Sequence, residues 1–347
     1  MKVLVIGGTN FIGPYVVRQL IKMGHEVTVF NRGQTTAELP PKVNYLIGDR
    51  HQLSLYKSEF QKLAPQVVLD MIPYTAKDAW DVVNTFQGIV RRVVAISSAD
   101  VYRARDIIWQ RETGIIDPTP LTEDSPLRCQ LYPYRGLSDD PRAHDYDKIP
   151  VEQVLMSAKD LSATIVRLPM VYGVGDNWHR LYPYIKPMND NRPAIILEEK
   201  IARWQCCYGY VENVAYAIAK LAEGIALAVN NQQAAGRIYN VSESPRSELD
   251  LVRAIAKIVG WQGKVEVLPE TQMPDTWNFL TNLDQHWVTD STRIRAELGY
   301  TEIVAFDEAL RQTIAWEKEH PPVSTPPSHS KLLNYSDEDA VLAKLSS

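Results

Sequence analysis

The feature that most constrains the fold is the N-terminal run MKVLVIGGTNFIGPYVVRQLIKMGHEVTVFNRG. A short aliphatic segment, KVLVI, ends in the stretch Gly7–Gly13 and passes at once into the helical pattern GPYVVRQLIKMGH. The same rhythm continues with EVTVF, VNYLI, QVVLDMI, DAWDVVNTFQGI and RRVVAIS. Val- and Ile-rich runs with little polar alternation suit strands covered on both faces, and the amphipathic stretches between them suit crossover helices. The chain therefore reads as α/β, with a doubly wound parallel sheet.

At 347 residues, 45% hydrophobic and 23% charged, it has enough apolar material for one large unit or two interlocked ones, which excludes disordered and fibrous classes. The formal charge of −5 offers no general attraction to phosphate backbones or anionic membranes, so nucleic acid is not an expected partner. Cys129, Cys206 and Cys207 match no zinc spacing, and their odd number points to a reducing compartment without a disulfide framework. No bound metal is expected. No hydrophobic run has the length of a membrane span, and the first is too short for a signal peptide, so the expected location is the cytoplasm.

Between Val101 and Ala143 the chain turns proline- and charge-rich, as a long excursion beside a site would. Helix and strand resume with VEQVLMSAKD and SATIVRLPMVYG. Further on, VENVAYAIAKLAEGIALAV reads as helix, GRIYNVS as strand, and SELDLVRAIAKIVG as a helix with a serine cap. Residues 1–173 form the expected first domain, also receiving about 205–242; residues 174–204 and 243–320 form a smaller substrate domain. Residues 321–347 read as a proline-rich linker and a last helix capped by Ser336 with Asp339.

Glycines at a strand-to-helix turn let the backbone approach a pyrophosphate, whose charge the helix N-terminus stabilises. At the end of the second strand, where an acid would hold a ribose 2′-hydroxyl, stand Asn31 and Arg32. A guanidinium without a neighbouring carboxylate favours a 2′-phosphate, hence NADP, with NAD as the alternative.

Together with GDR, SSADVY, RLPMVYG, YVENVA and LGY, this N-terminal run resembles the extended and atypical short-chain dehydrogenase/reductases, the NAD-dependent epimerase/dehydratase family. The resemblance spans most of the chain to about His320. It implies a Rossmann domain carrying NAD(P), a smaller C-terminal substrate domain, and chemistry by a Ser/Thr, Tyr and Lys set. It implies cofactor contacts at Gly7, Thr9, Asn10, Phe11, Ile12, Gly13, Asn31, Arg32, Asp49, Arg50, Ile72 and Lys148, and it is compatible with a homodimer. Asn10 replaces the middle glycine of the family's turn.

The same resemblance maps the catalytic serine to Ser98 and the family's YxxxKxxxE to His144, Lys148 and Glu152. The tyrosine is therefore missing. Four residues before Lys148, His144 shares its face if one helix carries both, and an imidazole can exchange protons at neutral pH. Tyr146 would then point away, unless Pro150 bends the helix. The expected catalytic set is Ser98, His144 and Lys148. Trp178, His179, Tyr182, Tyr184 and Trp204 offer an aromatic lining for a substrate pocket.

The leading expectation is an NADP-dependent oxidoreductase or epimerase acting on a small hydroxylated or carbonyl substrate, sugar-derived or otherwise. Its rival is a catalytically silent dinucleotide-binding protein that regulates or scaffolds, like the RNA-binding relatives of the family.

Overall fold

The computed structural model describes residues 1–137, 140–227, 236–274, 277, 281–326 and 329–345. Strands β1 (Lys2–Ile6), β2 (Glu26–Asn31), β3 (Asn44–Ile47), β4 (Val67–Asp70), β5 (Arg92–Ser98) and β6 (Ser162–Leu168) alternate with helices α1 (Ile12–Lys22), α2 (Lys57–Leu63), α3 (Ala76–Phe86), α4 (Arg103–Ile108), α5 (Pro141–His144) and α6 (Lys148–Ser157). The sheet has seven strands, all parallel, in the order β11-β6-β5-β4-β1-β2-β3, with β11 being Arg237–Asn240.

Period-two side chains feed two separate cores. Val3 and Val5 of β1, Val67 and Leu69 of β4, and Val94 and Ile96 of β5 join one cluster with Val16, Val17 and Leu20 of α1. Leu4 and Ile6, Val68, and Val93 and Ala95 join the other with Val82, Val83 and Phe86 of α3. Strands β1, β4 and β5 are thus buried on both faces, which explains their lack of polar alternation, whereas the edge strand β3, expected to be covered as well, leaves Tyr45 and Ile47 exposed. The buried positions of α1 recur at three- and four-residue spacing, and each large apolar side chain there contributes about 1.5–3 kcal/mol by leaving water.

The second half of the chain returns to this sheet before leaving it. Strand β7 (Met170–Tyr172) leads into α7 (Tyr182–Asn189), β8 (Ala194–Glu198), α8 (Glu199–Arg203), β9 (Gln205–Cys206) and β10 (Tyr208–Tyr210). Helix α9 (Val211–Leu227) packs on α1, and β11 pairs with β6. The last two residues of the expected helix, 228–229, lie outside the described residues. Then follow β12 (Arg246–Ser247), α10 (Glu248–Val259), β13 (Lys264–Leu268), α11 (Thr292–Leu298), α12 (Phe306–Glu319) and α13 (Tyr335–Leu345). Ser247 caps α10 by accepting from the Asp250 backbone N–H, as the serine in SELDL predicts. The smaller half holds the parallel pair β8–β13 with α7, α8 and α12 packed around α10.

The C-terminal segment lies against this smaller half. Val341 of α13 is buried with Ile196, Leu268 and Trp277, and Arg192 pairs with Glu338 at 2.7 Å. Ser336 stands inside α13, not at its cap, and its hydroxyl bonds to Asn334 Oδ1. Two residues of the proline-rich run, 327–328, lie outside the described residues. Among the described residues, no helix is long and apolar enough to cross a membrane.

Candidate functional site

The turn between β1 and α1 opens a cleft of about 600 Å³ across the C-terminal ends of β1–β5. Gly7 and Gly8 adopt positive φ, 90° and 88°. A Cβ on Gly13 would stand 2.5 Å from the Gly8 backbone, so the helix closes onto the turn only with glycine there. No side chain caps the N-terminus of α1; the Gly13 N–H donates to the Asn10 carbonyl at 2.9 Å, and the positive end of the helix dipole faces an anion in the cleft. Thr9, Asn10, Phe11 and Ile12 line the same wall. Both the size and the glycine cradle fit a dinucleotide, with its pyrophosphate at α1.

At one end of the cleft stand Asn31, Arg32 and Asp49. Asn31 Oδ1 accepts from the Gly33 N–H at 2.7 Å, and Asp49 Oδ1 from the His51 N–H at 3.0 Å. Arg32 is exposed, and among the described residues no ion pair involves it. Arg50 also lines the cleft but is committed elsewhere. Its guanidinium donates to Asp70, the Ile72 carbonyl and the Asp78 carbonyl, so it braces the cleft floor. Burial pushes the Asp70 carboxyl up, and Arg50 opposes that shift.

The opposite end is built by the turn after β4 and by the start of α6. Ile72, Tyr74 and Ile96 face the cleft. Behind them Lys148, 3% exposed, donates through Nζ to the Pro73 carbonyl at 2.7 Å and the Ile96 carbonyl at 3.0 Å. Its ammonium lies 4.9 Å from the Tyr74 ring centroid and 5.6 Å from that of Tyr146. Burial lowers the Lys148 pKa to about 8, with Asp100 and Asp70 pulling it back up. Lys148 is therefore at this end, yet it is not among the residues lining the cleft.

The expected pairing of His144 with Lys148 does not form. The helix is interrupted: α5 ends at His144, Asp145–Asp147 are non-helical, and Asp147 caps a new helix by accepting from the Ile149 N–H. Four-residue spacing places side chains on one face only along a continuous helix, and that condition fails here. The imidazole is exposed, with Nδ1 2.8 Å from Asp145 Oδ1. Pro150 falls in the first turn of α6, where proline costs no hydrogen bond.

Tyr146, freed from the helical register by the same break, turns inward. Its hydroxyl donates to Asp100 Oδ2 at 3.2 Å, and Tyr134 reaches the same oxygen at 3.4 Å. Burial pushes Asp100 up, against the pull of Arg128 and Arg105; burial also raises Tyr134 to about 12. Ser98 ends β5 half-buried, and its Oγ accepts from the Asp100 N–H at 3.2 Å. Glu152 is internal: it accepts from Ser97 Oγ and pairs with Arg167, tying α6 to β5 and β6.

Of the five aromatic candidates only Trp178 reaches the cleft. His179 bonds to Glu317 at 2.7 Å, Tyr184 to Glu248, and Trp204 to the Gln285 carbonyl, while Tyr182 is buried. Sequence reasoning missed Tyr74, Asp100 and Tyr134. A signal for Tyr74 existed: Thr75 and Asp78 form a capping box directly behind β4, which sets Tyr74 in a strand-to-helix turn on the ligand-binding edge of the sheet. Among the described residues, no group of His, Cys, Asp and Glu is placed to hold a metal.

Residues 3–119 match the NAD dependent epimerase/dehydratase family. The chain is 26% identical to the chloroplast stem-loop binding protein of 41 kDa b of Arabidopsis thaliana, over 75% of this chain and 64% of that protein. It is 26% identical to 2′-dehydrokanamycin reductase of Streptomyces kanamyceticus, over 64% of this chain and 58% of that one. In both cases it spans less than two thirds of the relative's length. In fold it is similar to the Bordetella bronchiseptica enzyme WbmG, solved with NAD, with a TM-score of 0.65 at 18% identity, covering 92% of this chain and 94% of that one.

Proposed function

Because residues 3–119 match the NAD dependent epimerase/dehydratase family, we propose that the chain is an NADP-dependent oxidoreductase or epimerase acting on a small hydroxylated or carbonyl substrate, sugar-derived compounds included. The observation that carries this reading is the cleft itself, with the glycine cradle at α1, Asn31 and Arg32 at one end, and Tyr74 in front of Lys148 at the other. Bound NADP(H) would supply or accept the hydride. Gly7–Gly13 would hold the pyrophosphate, Arg32 the 2′-phosphate and Asp49 the adenine side. The charge of Lys148 would stabilise a developing oxyanion beside it. Three free cysteines fit a reducing compartment such as the cytoplasm. Fluorescence titration with NADPH and NADH tests the reading, and a chain that binds neither is not this enzyme.

A second reading, a dinucleotide-binding protein without turnover, is favoured by the displacement of His144 and by the stem-loop binding relative. NADPH binding without reduction of any carbonyl in a broad panel is its expected signature.

A further inference from the structure

We propose that Tyr74, from the turn after β4, supplies the hydroxyl that exchanges a proton with the substrate oxygen, in place of a tyrosine on α6. The inference rests on the reading of the cleft as an NADP site.

Three residues compete for this part, and their surroundings separate them. His144 is carried away by the break before α6 and sits exposed against Asp145. Tyr146 has its hydroxyl on Asp100 Oδ2, does not line the cleft, and is pushed well above the usual tyrosine range by burial and then by the Asp100 charge. Tyr74 does line the cleft, is 40% exposed, and carries the ring nearest the Lys148 ammonium.

Its backbone is fixed on both sides. The Tyr74 N–H donates to Asp78 Oδ2 at 2.9 Å, inside the capping box of α3, and the Tyr74 carbonyl accepts from the Asp147 N–H at 3.0 Å. The Tyr146 ring packs against it at 5.9 Å. Tyr74 thus joins the starts of α3 and α6, with the Lys148 ammonium 4.9 Å from its ring centroid. In the reducing direction the carbonyl carbon receives hydride with its electron pair while the carbonyl oxygen takes the Tyr74 proton. NADPH becomes NADP⁺, the substrate becomes an alcohol, and the phenolate recovers its proton from water. The oxidising direction reverses each transfer.

The test uses the full chain, NADPH, tetranitromethane and 4-nitrobenzaldehyde. Peptide mapping after nitration should show Tyr74 modified in the free protein and protected at least tenfold by NADPH. Tyr74→Phe, which keeps the ring, should bind NADPH within threefold of the original and lose about 10²- to 10⁴-fold in the rate of aldehyde reduction, the usual weight of a proton-transfer group. The proposal is overturned if bound NADPH leaves Tyr74 nitration unchanged, or if Tyr74→Phe keeps its rate within threefold. It is equally overturned if the NADPH-bound wild type reduces no aldehyde. Failure to bind NADPH at all sinks the cofactor reading first, and is recognised by the absence of any protected tyrosine together with a flat fluorescence titration.

Discussion

Arg128 and Asp147 form an ion pair from which water is almost wholly excluded, with side-chain exposures of 0% and 1%. Asp147 also accepts from the Tyr132 and Ile149 N–H groups, and Arg128 donates to the carbonyls of Asp100 and Gln130. The pair therefore pins the excursion 128–132 to the start of α6 and holds the break that separates His144 from Lys148. Removing one partner strands a buried charge, so Arg128→Met should cost about 3–5 kcal/mol in urea unfolding. The double variant Arg128→Met/Asp147→Asn should recover part of that loss. A single variant within 1 kcal/mol of wild type would show that the break has another cause.

His144→Ala is expected to leave cofactor affinity and rate within about threefold, since surface substitutions away from a site rarely matter. Steady-state kinetics with NADPH and an aldehyde decide this. A loss of a hundredfold would restore the histidine to the chemistry and require α5 and α6 to merge when substrate binds.

Arg32→Ala should weaken NADPH by about 1.5–3 kcal/mol, the weight of a hydrogen bond to a charged group. NADH should barely change. Equal losses for both cofactors would place Arg32 on a feature that the two share.

Lys148 carries a pH signature. Its folded pKa of about 8 lies below that of the unfolded chain, so between these values the unfolded chain binds more protons and stability rises with pH. This contribution is complete above the unfolded pKa and is lost as pH falls through 8. Measured against Lys148→Met, which cannot titrate, the wild type should gain in Tm from pH 8 upward and show a constant difference below pH 7. A difference independent of pH would mean that water reaches the ammonium.

Val341 offers a test of the C-terminal segment. Val341→Ala removes buried methyl groups from the cluster with Ile196, Leu268 and Trp277, and should cost about 1–2 kcal/mol while NADPH affinity stays unchanged. An unchanged melting curve would show that α13 is only loosely attached.

What the sequence determined by itself was local and repetitive. The aliphatic runs, read with the helical stretches between them, specify the strands, because each residue's side is set by its own position in the strand; which strand lies at the exposed edge, as β3 does, is decided by the sheet order. The turn Gly7–Gly13 is legible for the same reason, since the backbone torsions and the close approach of Gly13 to Gly8 involve only neighbours. The serine cap of α10 is also local, and it stands where the sequence places it. The spacing from His144 to Lys148 looks equally local, but its meaning depends on an unbroken helix. That is decided by Asp147 and by Arg128, which a fold brings together across 19 residues. Tyr74 likewise meets Lys148 only because β4 and β5 lie side by side, delivering the carbonyls of Pro73 and Ile96 to one ammonium. Distance along the chain says nothing about such meetings. Short-range sterics and hydrophobic period fix the elements, whereas the end of the cleft at Tyr74 and Lys148 is set by desolvation and long-range pairing, which exist only once the sheet is assembled.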